Sequence, residues 1–489
     1  MTTPYPSYSY NKYNPSPFYL IPLEAWRRGL AVTFSGDIKN YSIGSPQRRL
    51  IFRRSMVLDA KWGLQTLEIT RNKDETKKYL LKANVTVPQG KRFHSQTSDE
   101  EIIRYAEQAG FPVVLKPTDG YRGEGVFSNV SDAVSLKQFL VHVRRDLRYE
   151  DVIVEERIEG DDFRIFVLGD KVVAALKRIP LNVTGNGKDT IKQLIQAKNY
   201  ERKHNRIGER KPIKIDPEIL TNIKLAGIHI NTVLDDGQKL FLRVKCNLSL
   251  GGDSVDVTDE IPQHVKNTAI QAVKAIPGLK HAGVDILHDE NTPDSPAAVI
   301  EINSMAEIGA HLYPRMGMSR DIASALIDHY FPESTSVKQN HRMIFYNPYS
   351  LKNSLMKNPK TEITLPALPL EEMVRREITL TGHIQGVGFR RWAEKQAMKM
   401  NLSGYIENQG SNSVHIVVAG EAEQVKTFET LCKTGPDKAR IEKISIKDCE
   451  EAVIFGFHII RKDNMLVDKF RRLPKAILRR MVKLKKRIT

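Results

Sequence analysis

The sequence predicts an α/β chain in which a large mixed region precedes a small β-α-β-β-α-β unit. Two observations support this prediction. From about residue 69 to 332, short β-branched runs alternate with amphipathic helical stretches. Beyond residue 372, the apolar pattern indicates strand, helix, strand, strand, helix and strand in that order. A chain of 489 residues has room for about two to four domains with ample core.

The composition is that of a globular protein, with 40% hydrophobic and 27% charged residues. No apolar run approaches the roughly 18 residues of a membrane span, and the N-terminus lacks the pattern of a signal peptide. The three cysteines, Cys246, Cys432 and Cys449, lie far apart without a CxxC motif. We therefore expect reduced thiols and a cytoplasmic protein without transmembrane segments.

Shifts in composition divide the chain into six predicted parts. These are an unstructured Tyr/Pro/Ser-rich tail (1–20), a small α/β lead-in (21–68), the main α/β region (69–332), a Pro-rich linker or wrapping segment (333–372), the small unit (373–461) and a basic tail (462–489).

The net charge of +17 is concentrated at the C-terminus, where residues 461–489 hold twelve Lys or Arg and two Asp. An apolar row opposite the basic residues predicts an amphipathic helix. Such a helix can bind an anionic membrane surface or nucleic acid, or it can dock on the protein or stay solvated. We slightly favour docking or solvation.

The main region opens with two predicted helices. The first runs through N-K-D-E-T-K-K-Y-L-L-K and is expected to end at Pro88. The second begins at Ser98, which stands three residues before Glu101 at capping-box spacing, and ends at Gly110.

A glycine-rich loop follows the next predicted strand, which carries Lys116 near its end. Gly120, Gly123 and Gly125 would let backbone N–H groups approach phosphate oxygens, and the Lys116 ammonium would reach the same anion. A hairpin turn can have the same composition, so the loop alone leaves both interpretations open.

Two pairs of charged residues come next along the chain. Glu155 and Glu156 end a predicted strand, and Arg164 and Arg178 lie on the two arms of a hairpin that turns at Gly169-Asp170. The two arginines either face one pocket or are solvated.

The stretch from His281 to Asn303 predicts a second hairpin with a carboxylate on each strand, Asp285 and Glu301. Asn303 lies two residues after Glu301, so both side chains leave the same strand face. Three oxygen ligands of this kind suit Mg²⁺. The alternative is a pair of solvated charges on an edge hairpin. Three nearby histidines, at 281, 288 and 311, are expected to be packing or surface residues rather than ligands.

Together, these motifs resemble the ATP-grasp superfamily, and more narrowly the ATP-grasp domains of cyanophycin synthetases and bifunctional glutathione synthetases. The resemblance covers about residues 69–332 and includes N-K-x-x-T-K-x-x-L, V-V-L-K-P, E-E-R-I-E-G-D-D-F-R, N-L-S-L-G-G-D-S-V-D-V-T-D and G-V-D with E-I-N. It implies the ATP-grasp fold, ATP as cofactor and Mg²⁺ (or Mn²⁺) as metal. It departs from the family at Asn72, where Asp is usual, and after Gly208, where the acceptor substrate should bind.

The resemblance also implies residue roles. Lys73 and Lys116, with the glycine loop, would hold the ATP phosphates, and Arg164 is assigned to the same cofactor. Glu155 and Glu156 would meet adenine and ribose. The transferred phosphate and the acceptor would lie near Arg178 and Arg243. The metal ligands would be Asp285, Glu301 and Asn303.

The small C-terminal unit has the ferredoxin-like order of elements, and its first strand leads into the loop H-I-Q-G-V-G. Gly386 and Gly388 at a helix N-terminus form a cradle for an anion, and Arg390 in the first turn supplies a guanidinium for phosphate. The helix has an apolar row: Phe389, Trp392, Ala393, Ala397 and Met400.

This segment resembles acylphosphatase over nearly the whole of that small fold. The resemblance implies a phosphate loop of Gln385, Gly386, Val387, Gly388 and Phe389, with Arg390 binding the phosphoryl group and Asn408 orienting the attacking water. In the following turn, Ser411-Asn412 replaces the family's usual Asp-Gly, which is feasible because Asn tolerates the left-handed conformation.

The resulting hypothesis is an ATP-dependent ligase joined to an acylphosphatase. The ligase would activate a carboxylate as an acyl phosphate for attack by an amine or thiol, with an amino acid or peptide as substrate. In the alternative, acylphosphatase is the main activity and the nucleotide-binding region is regulatory. A third interpretation, a surface-binding scaffold that depends on the basic tail, is the least favoured. Dimers or tetramers are common in similar ligases, so homo-oligomerisation stays open.

Overall fold

The computed structural model describes residues 19–58, 61–118, 124–204, 212–292, 294–334, 343–368 and 373–460. The described chain falls into two compact units. The first takes its residues from 1–25, 30–335 and 351–365, and the second from 26–29, 336–350 and 366–489. Within the described residues, no helix is both long and apolar enough to cross a membrane.

Helices and strands occur throughout the described chain, from Leu20 to Ile460. The first third contains α1 (Leu20–Arg27), β1 (Ala31–Ser35), β2 (Asp37–Gly44), β3 (Arg49–Arg53), β4 (Met56–Val57), α2 (Gly63–Arg71), α3 (Lys73–Lys82), β5 (Gly90–Phe93), α4 (Asp99–Ala109), β6 (Val113–Pro117), β7 (Phe127–Val130), α5 (Ala133–Val141) and β8 (Val152–Glu156). The middle third contains β9 (Asp161–Leu168), β10 (Lys171–Ile179), β11 (Asn182–Thr184), α6 (Ile191–His204), α7 (Pro217–Leu225), β12 (Lys239–Phe241), β13 (Asp253–Asp256), α8 (Gln263–Ala275), β14 (His281–His288), β15 (Ala298–Asn303), α9 (Gly309–Leu312) and α10 (Ile322–Tyr330). The last third contains β16 (Ile344–Phe345), α11 (Pro348–Lys357), β17 (Glu362–Thr364), β18 (Met373–His383), α12 (Phe389–Lys399), β19 (Ser403–Gln409), β20 (Ser413–Glu421), α13 (Ala422–Thr434), β21 (Arg440–Asp448), β22 (Val453–Ile454) and β23 (Phe457–Ile460).

The central sheet of the first unit is antiparallel, with the strand order β13-β10-β9-β14-β15. Successive side chains of a strand point to opposite faces, so β9 contributes to the hydrophobic core on one face and to the candidate site on the other. Phe163, Ile165 and Val167 enter a core that also contains residues of α3 and α8. The alternate residues, Asp162 and Arg164, project from the opposite face. That face carries the candidate site.

Two further cores complete the main region of the first unit. The sheet β5-β8-β6-β7 shares one core with α4 and α5, and the two-stranded sheet β11-β12 shares the other with α6 and α7. The hairpins predicted at Gly169 and between His281 and Asn303 are both confirmed. The Ser98 cap is also present, since the Ser98 hydroxyl accepts a hydrogen bond from the Glu101 N–H at 3.2 Å.

The second unit confirms the predicted order of elements. Its sheet has the order β21-β18-β20-β19-β23, in which the first four strands are the ferredoxin-like set and β23 is added at the edge, parallel to β19. Phe389, Ala393 and Ala397 of α12 are buried in the core with Phe428 of α13. Trp392 and Met400 pack against the same core, so the predicted apolar row is correct.

Two sequence-based boundaries were wrong. Helix α1 begins at Leu20, and Tyr19 is buried, so the predicted N-terminal tail ends earlier than residue 20. Helix α3 ends at Lys82, well before Pro88, because the chain turns at Asn84 with a φ of 55°.

The segment 333–372, predicted from the sequence as a linker or wrapping segment, contains β16, α11 and β17. The two strands are only two and three residues long, and β17 pairs with β1, some 330 residues earlier in the chain. Such short elements depend on distant partners, so the local sequence carries little periodicity to reveal them. Residues 1–18, Gly120, Gly123 and the basic tail 462–489 lie outside the described residues.

Candidate active sites

Helix α3 presents the first predicted lysine of the nucleotide site. Asn72 is its N-cap, and its Oδ1 accepts hydrogen bonds from the N–H groups of Asp74 and Glu75 at 3.0 and 3.2 Å. An amide oxygen caps a helix about as well as a carboxylate does. Although Asn72 stands where the ATP-grasp family usually has Asp, the helix still begins at the same point, with Lys73 as its first residue.

A cleft brings together residues of α3, β6, β8 and β15. Four of the predicted site residues line it, namely Lys73, Lys116, Glu155 and Glu301. Its remaining wall is largely apolar and includes Leu80, Val87, Pro88, Ile153, Val299 and Ile302. The cleft thus offers positive charge at one part of its lining and an apolar surface at another.

Lys77 also lines this cleft, although it was not among the site residues predicted from the sequence. Its Nζ is buried without a hydrogen-bond partner in the described chain and lies 3.6 Å from Glu155 Oε2, while Lys116 forms an ion pair with the same carboxylate. Burial lowers the pKa of Lys77, and the nearby positive charge of Lys116 lowers it further. The negative charge of Glu155 raises this pKa but does not outweigh the effect of burial. Its spacing of four residues from Lys73 on one helix was the available signal, since such residues share a face.

The predicted arginines converge on Asp285. Arg164 donates from Nε and Nη2 to the two carboxylate oxygens at 2.7 and 2.8 Å, and Arg178 Nη2 lies 3.1 Å from Asp285 Oδ2. Arg178 also donates to Asp162 at 2.8 Å from Nε. Burial opposes ionisation of Asp285, but the two guanidinium groups outweigh it and hold its pKa below the usual value. The interpretation in which these charges are solvated is wrong, because Asp285 is only 3% exposed.

The predicted metal ligands lie on adjacent strands. Asp285 pairs directly with Glu301, and Asn303 pairs with Gly283, two residues away on β14. Among the described residues, no group of three or more His, Cys, Asp or Glu side chains could hold a metal. The predicted set has two carboxylates and one amide, an all-oxygen set that suits Mg²⁺. A carboxylate has about four lone-pair sites. Arg164 uses two of those on Asp285 and Arg178 lies close to Oδ2, so at least one stays available to a metal ion.

Asn303 adds a second sign of an incomplete polar site. Its Nδ2 is buried and has no hydrogen-bond partner in the described part of the chain. A buried N–H donor without an acceptor is unfavourable, so an oxygen atom that binds beside it, for example one of a phosphate or a water molecule, would relieve this cost. The oxygen atoms of the three residues are what fit the chemistry of a magnesium site.

Other predicted residues lie elsewhere or have different contacts. The buried Arg243 donates to Asp216 and Glu218, whereas Arg164 and Arg178 meet at Asp285. Glu156 accepts a hydrogen bond from the Gln89 N–H at 2.7 Å, which joins β8 to the residue before β5. Gly125 has a φ of 69°, and a Cβ there would lie 3.3 Å from Pro117, so this position of the loop favours glycine.

The three histidines near the hairpin are interior residues. His281 Nδ1 lies 2.8 Å from the Tyr330 hydroxyl and Nε2 lies 2.6 Å from the Ser55 carbonyl oxygen. Burial lowers the pKa of His281 to about 4. His288 and His311 are each 1% exposed. These surroundings agree with packing rather than a surface position.

The second candidate site lies at the start of α12. Gly386 and Gly388 have φ values of 80° and 84°, and a Cβ at either position would meet no atom within 4 Å. The loop is therefore left-handed and open at both glycines. Phe389 begins the helix and is buried, which anchors the loop, and Arg390 follows half-buried in the first turn. The first N–H groups of a helix lack intrahelical partners and can bind an anion.

Asn408 lies beside this loop at the end of β19. Its Nδ2 donates to Gln385 Oε1 at 3.0 Å, so the loop and the strand are directly connected. In the turn that follows, Gly410 has the left-handed conformation, with a φ of 63°, and neither Ser411 nor Asn412 does. The turn with Ser411-Asn412 forms, but its left-handed residue is Gly410 and not Asn412.

Comparison with protein families identifies two regions. Residues 70–192 match the RimK-like ATP-grasp domain, and residues 376–459 match acylphosphatase. Among curated relatives, the cyanophycin synthetase of Geminocystis herdmanii is 33% identical over 299 residues, which are 60% of this chain and 33% of that protein. The glutathione biosynthesis bifunctional protein of Enterococcus faecalis is 34% identical over 274 residues, 54% of this chain and 36% of that protein. The chain spans about a third of the length of the curated relatives it matches.

Two solved structures are similar to parts of the chain. A bifunctional glutathione synthetase from Pasteurella multocida is 28% identical, with a TM-score of 0.47, covering 62% of this chain and 41% of that one. An acylphosphatase from Bacillus subtilis is 26% identical, with a TM-score of 0.17, covering 18% of this chain and 100% of that one. The chain thus combines a RimK-like ATP-grasp domain with a C-terminal acylphosphatase domain.

Proposed function

We propose that the protein is an ATP- and Mg²⁺-dependent ligase that joins a carboxylate to an amine or thiol, and that its C-terminal domain hydrolyses acyl phosphates. The main support is the cleft in which Lys73, Lys77 and Lys116 meet beside Glu301. Three ammonium groups facing two carboxylates leave positive charge for a polyphosphate. The cyanophycin and glutathione relatives support an amino acid or peptide as the substrate class.

In the proposed ligase reaction, a carboxylate oxygen of the acid attacks the γ-phosphorus of ATP, and the bond to ADP breaks. The amine or thiol then attacks the acyl carbon, and phosphate leaves. Lys73, Lys77 and Lys116 would bind the phosphates, and Arg178 would stabilise the transferring group. Asp285, Glu301 and Asn303 would hold Mg²⁺, which neutralises phosphate charge when bound.

Asp285 has a second task in this proposal. Its carboxylate fixes Arg164 and Arg178 in one orientation, so both guanidinium groups are held before substrate binds. Charges that are already oriented need no rearrangement during the reaction. The proposed roles of Arg243 and Glu156 have less support, since both engage other partners.

In the proposed hydrolase reaction, a water oxygen attacks the phosphorus of an acyl phosphate. The bond between phosphorus and the acyl oxygen breaks, and the products are a carboxylate, inorganic phosphate and a proton released to solvent. Arg390 and the N–H groups at the start of α12 would bind the phosphoryl oxygens. Asn408 would orient the water.

A combined assay tests the ligase proposal. Phosphate release from ATP is followed while mixtures of amino acids are added, and mass spectrometry identifies the products. We expect release that requires both an acid and an amine or thiol, together with a ligated product. Hydrolysis of benzoyl phosphate without acid-dependent ATP consumption would favour the alternative, in which the ATP-grasp domain only regulates an acylphosphatase.

The two activities suggest a link, because one produces the class of compound that the other destroys. We propose that the C-terminal domain removes acyl phosphate that escapes ligation or that forms from a wrong acid. Arg390→Ala should then lower the ATP consumed per ligated product when near-cognate acids are present. Unchanged ratios with cognate and near-cognate acids would show that the two sites work independently.

A further inference from the structure

We infer that Gln385 is a positioning residue of the acylphosphatase site: it determines which atom of the Asn408 amide faces the attacking water. The inference rests on the proposed hydrolase function and assigns a role to a side chain of the phosphate loop itself.

The orientation of the Gln385 amide is fixed by backbone groups. Its Nε2 donates to the carbonyl oxygens of Ser413 at 2.8 Å and Gly410 at 3.2 Å. A carbonyl oxygen can only accept hydrogen bonds. Reversing the amide would place Oε1 against both carbonyl oxygens and lose two hydrogen bonds. The NH₂ group of Gln385 must therefore face these carbonyls.

The orientation of Asn408 follows from that of Gln385. Gln385 Oε1 can only accept, and it lies 3.0 Å from Asn408 Nδ2. Asn408 must therefore present its NH₂ group to Gln385, which directs its Oδ1 away from that side chain. In the described chain, Asn408 Oδ1 is buried and has no protein donor as a partner.

A buried amide oxygen without a donor is costly, so Asn408 Oδ1 calls for a partner such as a bound water molecule. By accepting one O–H of that water, Oδ1 raises the electron density on the water oxygen and leaves both of its lone pairs free, one of them to attack phosphorus. The reversed amide would instead donate to the water oxygen, which occupies one of its two lone pairs and makes it a weaker nucleophile. The orientation set by Gln385 is thus the one that favours hydrolysis.

The anchor of this arrangement is the turn between β19 and β20. Gly410 turns the chain in the left-handed conformation, and Ser413 begins β20, where its hydroxyl donates to the Leu380 carbonyl oxygen at 3.1 Å. A sequence of hydrogen bonds then runs from backbone carbonyls through Gln385 to Asn408. Neither Glu nor Leu at position 385 can donate to those carbonyls.

Gln385→Leu and Gln385→Glu test the inference in the full-length protein, with benzoyl phosphate as substrate. Misorienting one catalytic hydrogen bond should lower kcat about 10- to 100-fold. KM and the inhibition constant of inorganic phosphate should change less than about threefold, because the loop glycines and Arg390 still bind phosphate. A merely structural role would instead weaken phosphate inhibition along with kcat.

Gln409→Leu is the matched control, since Gln409 is exposed and directly follows Asn408 on β19, with its side chain on the other face. We expect its kcat to stay within about twofold of the wild type. If Gln385 acts through Asn408, then Gln385→Leu should add no further loss in an Asn408→Ala background. Additive losses, or a normal kcat in Gln385→Leu, would overturn the inference.

The proposed function is judged separately by Arg390→Ala. Benzoyl phosphate hydrolysis that is lost in Arg390→Ala but normal in Gln385→Leu would overturn the positioning role alone. Absence of hydrolysis by the wild type would overturn both the acylphosphatase activity and this role.

Discussion

The two candidate sites prepare for phosphate in different ways. In the ATP-grasp domain, cations are held by carboxylates from other strands, as Arg164 is held by Asp285 and Lys116 by Glu155. In the acylphosphatase domain, the phosphate site is formed by a left-handed glycine loop, one helix N-terminus and the neutral Gln385–Asn408 pair. Arg390 is its predicted cation. The first arrangement depends on charge pairs between distant residues, and the second on backbone geometry within a short segment.

The comparison implies that the sites respond differently to loss of charge. Removing a carboxylate from the first site also releases a buried guanidinium or ammonium, so binding and stability change together. Removing the one predicted cation from the second site leaves the loop geometry in place. Four expected outcomes test this difference between the sites, in order of decreasing effect.

The double variant Asp285→Asn and Glu301→Gln should lose the ligase reaction almost completely. We expect ATP consumption that requires acid and amine to fall by at least about 1,000-fold, because both carboxylates of the proposed metal site are gone and Arg164 and Arg178 lose their charge partner. Phosphate release and product mass measure the effect. Asp294→Asn, an exposed residue in the loop of the same hairpin, is the control. Undiminished activity of a folded double variant would contradict the proposed site.

Arg390→Ala should remove hydrolysis of benzoyl phosphate without unfolding the second unit. We expect kcat/KM to fall about 100- to 1,000-fold, since one preorganised charge at the phosphoryl group is lost. The exposed neighbour Arg391→Ala serves as the control and should stay near wild-type activity. If both variants hydrolyse the substrate equally well, the loop binds phosphate without Arg390.

Acidification should destabilise the first unit through His281. Burial lowers its folded pKa to about 4, below the ordinary value of 6.5, so the full stabilisation from keeping this residue neutral is present above pH 6.5. Stability is then lost as pH falls from 6.5 toward 4, by roughly 3 kcal/mol for this group. Urea unfolding at several pH values measures the slope. His281→Gln should reduce the slope and leave the part that comes from His311, whose pKa burial lowers to about 3. The exposed His229→Gln should leave the slope unchanged.

Lys77→Met should weaken ATP binding while the Lys116–Glu155 ion pair persists. A charge-assisted hydrogen bond to phosphate contributes about 1.5–3 kcal/mol, so the KM for ATP should rise about 10- to 100-fold. The control is Lys82→Met at the exposed end of the same helix. An unchanged KM for ATP would show that Lys77 only balances the charge of Glu155.

The contrast also explains which features the sequence could predict. The loop from Gln385 to Phe389 and the hairpin of Asp285 and Glu301 depend on local spacing, and both are present in the structure. Pairings between distant residues were harder. The resemblance placed Arg243 near the transferred phosphate and the acceptor, and in the structure its side chain binds Asp216 and Glu218, a contact that the sequence did not predict. Lys77 was detectable by its spacing from Lys73, although a lysine on a polar helix face is usually solvated.

Strand β17 has a practical consequence for dissecting the protein. It completes the N-terminal sheet by pairing with β1, and the Thr33 and Thr364 hydroxyls lie 2.8 Å apart. Cutting the chain after residue 332, where the sequence indicated that the ligase region ends, would strip β1 of this neighbour. An unpaired strand edge invites self-association, so a fragment that ends beyond residue 365 should be the more tractable one in solution.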